Sequence, residues 1–140
     1  MLALVLCAVY RRWGTFLLTL VAVALADWSA AGIKALVDRP RPPLRYPEPK
    51  TLVPVPHDAS FPSGHAATSF AAATMLSLAF PKFAPVLLLL AAAVAFSRVY
   101  VGVHYPLDVI GGAVLGALIA IALRRLVTAR LRSRQATPAG

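Results

Sequence analysis

The chain has 140 residues, of which 59% are hydrophobic and 14% charged, with a mean hydropathy of +0.75 and a formal net charge of +9. That composition excludes an ordinary soluble domain and a disordered tail, and the positive charge does not mark a nucleic-acid binder, because such a protein would not commit so much of its length to apolar helices. The single cysteine, Cys7, excludes an internal disulfide and a cysteine-built metal cage, which leaves it the reading of a small apolar filler.

A helix needs about 20 mainly apolar residues to cross the roughly 30 Å hydrocarbon layer of a bilayer. Four runs meet that need, at residues 14–37, 62–80, 83–101 and 107–123, and a shorter apolar stretch, residues 1–10, precedes them. In that first stretch Arg11 and Arg12 follow the apolar run, whereas a secretory signal carries its charges before it. It reads as uncleaved, the tail of a further helix or a half-span at the interface. The first full span carries Asp27 and Trp28 in its middle; a charge at that depth is costly, and Asp27 either pairs with Lys34 two turns on or faces a wet cavity. Residues 38–61 hold seven of the 12 prolines, too many for a helix and with too few apolar residues for a core of their own, so they form an ordered loop over the helix ends. Within it His57 and Asp58 read as solvated polar residues, and Arg39 and Arg45 as surface cations at least as readily as headgroup contacts.

Pro81 and Lys82 allow only a tight turn between the second and third spans, an antiparallel hairpin. Small residues recur in the spans, among them Ala71 to Ala73, Ala91 to Ala93, Gly111, Gly112 and Gly116, as close helix packing in a membrane requires. Residues 124–140 form a basic tail beside anionic headgroups. The expected fold is therefore all-α: a polytopic transmembrane bundle of about four full spans plus a short N-terminal apolar helix, forming one domain over residues 1–140. With alternating spans, Arg11, Arg12, Lys82, Arg124, Arg125, Arg130, Arg132 and Arg134 share a cytoplasmic face together with the C-terminus. Lys34, Arg39, Arg41, Arg45, Lys50 and Arg98 then lie on the extracytoplasmic face, where a cluster of cations needs a functional reason.

Three polar groups converge on that face: Lys34 with Arg41 and Pro42; Pro62, Ser63, Gly64 and His65; and Ser97 and Arg98 followed by His104 and Asp108. Two helices begin there, so their unpaired N–H groups and positive dipole ends favour an anion. Gly64 permits close approach, Ser63 offers a hydroxyl, and Lys34, Arg41 and Arg98 over-neutralise a single negative charge but suit a phosphate. The spacing of His104 to Asp108, with Pro106 in the first helical turn, brings a carboxylate to one ring nitrogen and leaves the other free to attack. His65 is then placed to protonate the departing oxygen and later to activate water. Taken singly, each has a plainer reading: an interfacial anchor for His or Arg, an N-cap for Ser63, a packing residue for Ser97.

These motifs, Lys-x6-Arg-Pro from Lys34 to Pro42, Pro-Ser-Gly-His from Pro62 to His65, and Ser-Arg-x5-His-x3-Asp from Ser97 to Asp108, resemble the tripartite signature of the type 2 phosphatidic acid phosphatase (PAP2) superfamily. That superfamily includes undecaprenyl diphosphate phosphatases and vanadium haloperoxidases. The resemblance implies a membrane-embedded lipid-phosphate phosphatase in which His104 becomes a phosphohistidine, Asp108 orients it and His65 is acid and base. Lys34, Arg41, Ser63, Gly64, Ser97 and Arg98 would hold the phosphoryl oxygens, with no metal or other cofactor, on a substrate such as a polyprenyl diphosphate or phosphatidic acid. The family pattern has six helices, so this chain reads as N-terminally shortened, either truncated or completed by a second copy in a homo-oligomer. Two rivals use the same pocket, a vanadate haloperoxidase, disfavoured by the spans, and a non-catalytic lipid-phosphate binder or transporter, which would not need both histidines with Asp108. The metal-free phosphohistidine reading predicts turnover that survives EDTA and is blocked by vanadate; loss of phosphate release on chelation would count against it.

Overall fold

The computed structural model describes residues 1–46 and 51–136, with the side chains of 134–136 excepted; Lys50, the Arg134 side chain and the end of the basic tail lie outside the described residues. Among the described residues every regular element is a helix: α1 (Leu2–Val9), α2 (Trp13–Val37), the single turn α3 (Pro42–Arg45), α4 (Gly64–Ala79), α5 (Ala84–Tyr100) and α6 (Pro106–Ala136), with a 3-10 turn at Pro81–Phe83 between α4 and α5. The stretches Trp13–Arg45, Pro81–Tyr100 and Pro106–Ser133 are long and apolar enough to cross a membrane. Their outward surfaces carry Leu17, Trp28, Leu89, Phe96 and Leu118, all exposed, as lipid-facing side chains are.

The expected second span, residues 62–80, differs. It forms α4, which is only 16 residues long, roughly 24 Å at 1.5 Å per residue, and it is not among the three long stretches. It packs against α2, α5 and α6, and its Ala66, Ala67, Ala71, Ala73, Met75 and Leu76 are buried, so it is the inner helix around which the others stand. Two other departures are smaller: the single turn α3 forms inside the proline-rich residues 38–61, where no helix is expected, because proline is tolerated in a first helical turn, and α6 runs on through the expected tail to Ala136.

Close approach makes this packing work. A Cβ on Gly116 would stand 2.0 Å from the Ala67 carbonyl oxygen, and one on Gly112 would stand 2.4 Å from that of Ser63. The two glycines thus let α6 lie directly on the α4 backbone. At the top of that contact the Ser63 N–H donates to the Asp108 carbonyl at 2.9 Å, which fixes the starts of α4 and α6 side by side. At the opposite end, α1 is a short helix whose buried Cys7 packs with Ala73, Leu76, Ala79, Phe80, Leu87 and Ala91. There Arg12 donates to the Ala79 carbonyl at 2.9 Å and lies over the Phe80 ring. A second cluster joins Ala22, Ala26 and Ala30 of α2 to Ala67, Ala71 and Met75 of α4 and Ala120 of α6. Gly116→Ala is expected to cost about 1–3 kcal/mol of stability by overpacking. Gly32→Ala, which meets nothing within 4 Å, should be neutral or slightly stabilising; equal thermal midpoints for the two variants in detergent would contradict this packing.

Candidate active site

One cavity of about 400 Å³ lies where the C-terminal ends of α2 and α5 meet the start of α4 and the loop before α6. Its wall includes Asp27 and Lys34 from α2, Arg41, Asp58, Gly64, His65 and Thr68, Arg98 from α5, and Val103 and His104. Both histidines and the cations Lys34, Arg41 and Arg98 of the three sequence motifs therefore face the same space.

The local chain directions follow from the sequence. Lys34 is in the last turn of α2, which ends on Asp38 in the left-handed conformation, φ 44°, a region Asp tolerates better than most residues. Residue Arg41 then precedes Pro42 in extended backbone, as a residue before proline does. Ser63 is the N-cap of α4, its hydroxyl accepting from Ala66 N–H at 3.5 Å. Pro106 opens α6, and two residues on the Asp108 carboxylate accepts the Tyr105 N–H at 2.9 Å, so the acid of the motif also caps its own helix, in the manner of a capping box.

His104 and Asp108 are both buried. His104 Nδ1 lies 3.5 Å from Asp108 Oδ2, longer than an ordinary hydrogen bond, and no other partner reaches that nitrogen. On the other side of the ring Arg41 Nη1 stands 3.1 Å from Nε2. A guanidinium can only donate, so Nε2 is the acceptor and the ring proton sits on Nδ1, facing the carboxylate. Burial, then the Arg41 charge, push the His104 imidazolium down to about 4, with Asp108 opposing. Neutral imidazole is the nucleophilic form, and here its Nε2 lone pair accepts from Arg41.

The Asp108 carboxylate gathers more than His104. Arg39 Nη1 donates to Oδ1 at 2.8 Å, the Ser60 hydroxyl donates to Oδ2, and the Arg39 guanidinium is stacked on the Tyr105 ring at 4.2 Å. Arg41 is likewise tied down: it donates to the carbonyls of Val103 and Asp58, each at 2.9 Å, and to Asp58 Oδ1 at 2.6 Å. Lys34 donates to Asp58 Oδ2. The Asp58 carboxyl is held down at about 2: burial opposes its ionisation, and the bonds from Lys34 and Arg41 outweigh that.

Measured against the sequence motifs, three side chains stand apart from the cavity wall: Asp108, fully buried beside His104, and the two serines Ser63 and Ser97. The Ser63 hydroxyl is buried as the helix cap. Ser97 donates to the Val94 carbonyl at 2.7 Å and accepts from Arg98 Nε at 3.2 Å, so it aims Arg98 and does not line the space itself. Asp27 lines the cavity and is not the partner of Lys34, which bonds Asp58 instead. The proline-rich segment holds more of the site than its composition shows: Asp58 is in the cavity, not merely solvated, and Arg39, which the sequence leaves between a surface and a headgroup role, bonds Asp108 together with Ser60. The one local signal for Arg39 was its spacing from Arg41, two residues apart through a proline; Ser60 offered none. Among the described residues no three His, Cys, Asp or Glu side chains gather as metal ligands would.

The fold and this cavity define a helical membrane protein with a cationic, two-histidine site at one end. The PAP2 superfamily model matches residues 15–132, and the chain belongs to that superfamily. It is 36% identical over 128 residues to decaprenylphosphoryl-5-phosphoribose phosphatase of Mycobacterium tuberculosis, covering 91% of this chain and 70% of that one. It is 47% identical over 79 residues to undecaprenyl-diphosphatase of Sulfolobus acidocaldarius, covering 55% of this chain but only 38% of that relative's length. The crystal structure of Aquifex aeolicus LpxE superposes with a TM-score of 0.78 at 31% identity, covering 87% of this chain and 73% of that one. With its long apolar stretches, the chain is a multi-pass membrane protein.

The depressed His104 value has a consequence for stability. In the unfolded chain this imidazole titrates near an ordinary value of about 6.5, whereas in the fold it does so at about 4. Between those values the unfolded state binds the extra proton, so stability rises with pH through that window and falls as pH drops toward 4. Thermal midpoints measured from pH 7 to pH 4.5 should decline in the wild type and decline less in His104→Gln; parallel profiles would remove the assignment.

Proposed function

We propose that this chain is an integral-membrane lipid-phosphate phosphatase that works through a phosphohistidine on His104. The observation that carries the reading is the single cavity faced by His65, His104 and the cations Lys34, Arg41 and Arg98. The names borne by its relatives, a polyprenyl diphosphatase and a phosphatase of a polyprenyl-linked phosphosugar, support a polyprenyl-linked phosphate as the substrate class.

In this mechanism the substrate phosphoryl group enters the cavity and its oxygens take the Lys34, Arg41 and Arg98 donors, with the Gly64 N–H at the α4 start contributing its dipole end. Arg41 Nη1 leaves Nε2 for a phosphoryl oxygen, which frees the lone pair. Nε2 then attacks phosphorus as the bond to the lipid-side oxygen breaks; that oxygen keeps the electron pair and takes a proton from His65. The imidazole now carries positive charge, and Asp108, held by Arg39, Ser60 and the Tyr105 N–H, stabilises it through Nδ1–H, where the 3.5 Å approach shortens as charge develops. In the second step His65 removes a proton from water, the water oxygen attacks phosphorus, the P–N bond breaks with its electrons returning to Nε2, and inorganic phosphate departs.

Within the membrane reading, α4 is a fourth, inner crossing shielded by α2, α5 and α6. The site end faces away from the cytoplasm, because Arg11, Arg12, Lys82 and the Arg-rich end of α6 lie toward the other end of the helices. The substrate's phosphate would then meet the cavity at the outer headgroup level.

The test is phosphate release by purified protein from a panel of lipids, namely polyprenyl diphosphate, a polyprenyl-phosphosugar, phosphatidic acid and phosphatidylglycerol phosphate. His104→Ala should fall to background, and His65→Ala should lose about 10²–10⁴-fold, the usual worth of a positioned acid and base. Full turnover by His104→Ala would end the proposal, and lipid binding without turnover by the wild type would make the chain a binder.

A further inference from the structure

The resting cavity already holds an anion of its own. Asp58 offers one carboxylate oxygen to Lys34 and the other to Arg41, the latter at 2.6 Å. A phosphoryl group seated between the same two cations would present two oxygens in the same way. We infer that Asp58 is a built-in competitor for the phosphoryl position, and that it makes the site selective for headgroups carrying two or more negative charges over phosphodiesters carrying one. The inference rests on the phosphatase reading of the cavity and adds a specificity-determining residue to it.

Three features support it. The backbone of this segment is fixed: the Asp58 carbonyl accepts from Arg41 Nε at 2.9 Å, and the Ser60 N–H donates to the Arg39 carbonyl at 2.8 Å. The side chain, in contrast, is 53% exposed, so it has room to rotate away without moving the segment. The cations do not depend on the Asp58 carboxylate for their placement, since Arg41 is also bonded to the carbonyls of Val103 and Asp58 and Lys34 sits on a helix.

Charge then decides who wins. Against the same cations, a phosphomonoester dianion or a diphosphate brings at least twice the Coulombic attraction of a carboxylate and can displace it. A phosphodiester brings one charge, no more than Asp58, and its competitor is tethered and always present at high effective concentration. A site at headgroup level in a bilayer is surrounded by phosphodiester lipids, so without such a residue it would stand occupied by bystanders. The Asp58 carboxyl, held at about 2, stays ionised and competing throughout any physiological range.

Binding of orthovanadate and of inorganic phosphate to the purified full chain in detergent, measured by calorimetry, tests this without relying on turnover. Asp58→Asn and Asp58→Ala should both bind these anions about tenfold more tightly than the wild type, the worth of one displaced charge-assisted contact. Adding phosphatidylglycerol to the micelles should weaken vanadate binding in the variants and little in the wild type. Equal or weaker vanadate affinity in both variants would overturn the inference and make Asp58 a positioning residue for the cations. No binding of either anion by wild type or variants would remove the phosphoryl reading of the cavity itself.

Discussion

A carboxylate that water does not reach must find its compensation in the protein, and Asp108 is such a group. Its oxygens collect Arg39 from the segment after α2, Ser60 from the segment before α4, the Tyr105 N–H at the start of its own helix and, at 3.5 Å, the ring of His104. Its carbonyl accepts the N–H of Ser63. One residue therefore ties together three of the chain segments around the cavity, those after α2, before α4 and at the start of α6. Removing the carboxylate would leave Arg39 and Ser60 without this acceptor and His104 without the anion beside Nδ1.

The same economy governs the positive side. Arg41 is buried, yet its guanidinium is bonded to two carbonyls, the Asp58 carboxylate and His104 Nε2. A guanidinium suits this because it stays charged and its planar fork can serve several acceptors at once. Its bonds place the Asp58 carboxylate and His104 Nε2 on one guanidinium.

Membrane packing supplies the rigidity these bonds require. The helices present large apolar side chains outward and small ones inward, with alanines of α2 and α4 and the glycines of α6 at the contacts. Lipid gives apolar side chains no reason to associate, so close backbone contact is what holds such a bundle. The place where α6 rests on α4 lies directly below the paired starts of those helices, and the precision of the site is inherited from it.

The helical class, the long apolar stretches and the residues of the three motifs were legible in the chain itself, because apolar run length, proline and glycine placement and short-range spacing are local properties. The His104 to Asp108 spacing implied a carboxylate beside one ring nitrogen without saying which, and Ser63 and Pro106 marked where α4 and α6 begin. Other features depended on contacts between residues far apart in sequence. Only the folded chain decided that α4 is a short inner helix packed against α2, α5 and α6. Only it decided that Ser97 aims Arg98, that Arg39 and Ser60 turn inward to Asp108, and that Asp58 sits between Lys34 and Arg41. A proline-rich segment carries no periodicity to say which of its polar side chains face inward. Here that choice was made by buried charges on other helices, which needed partners from it.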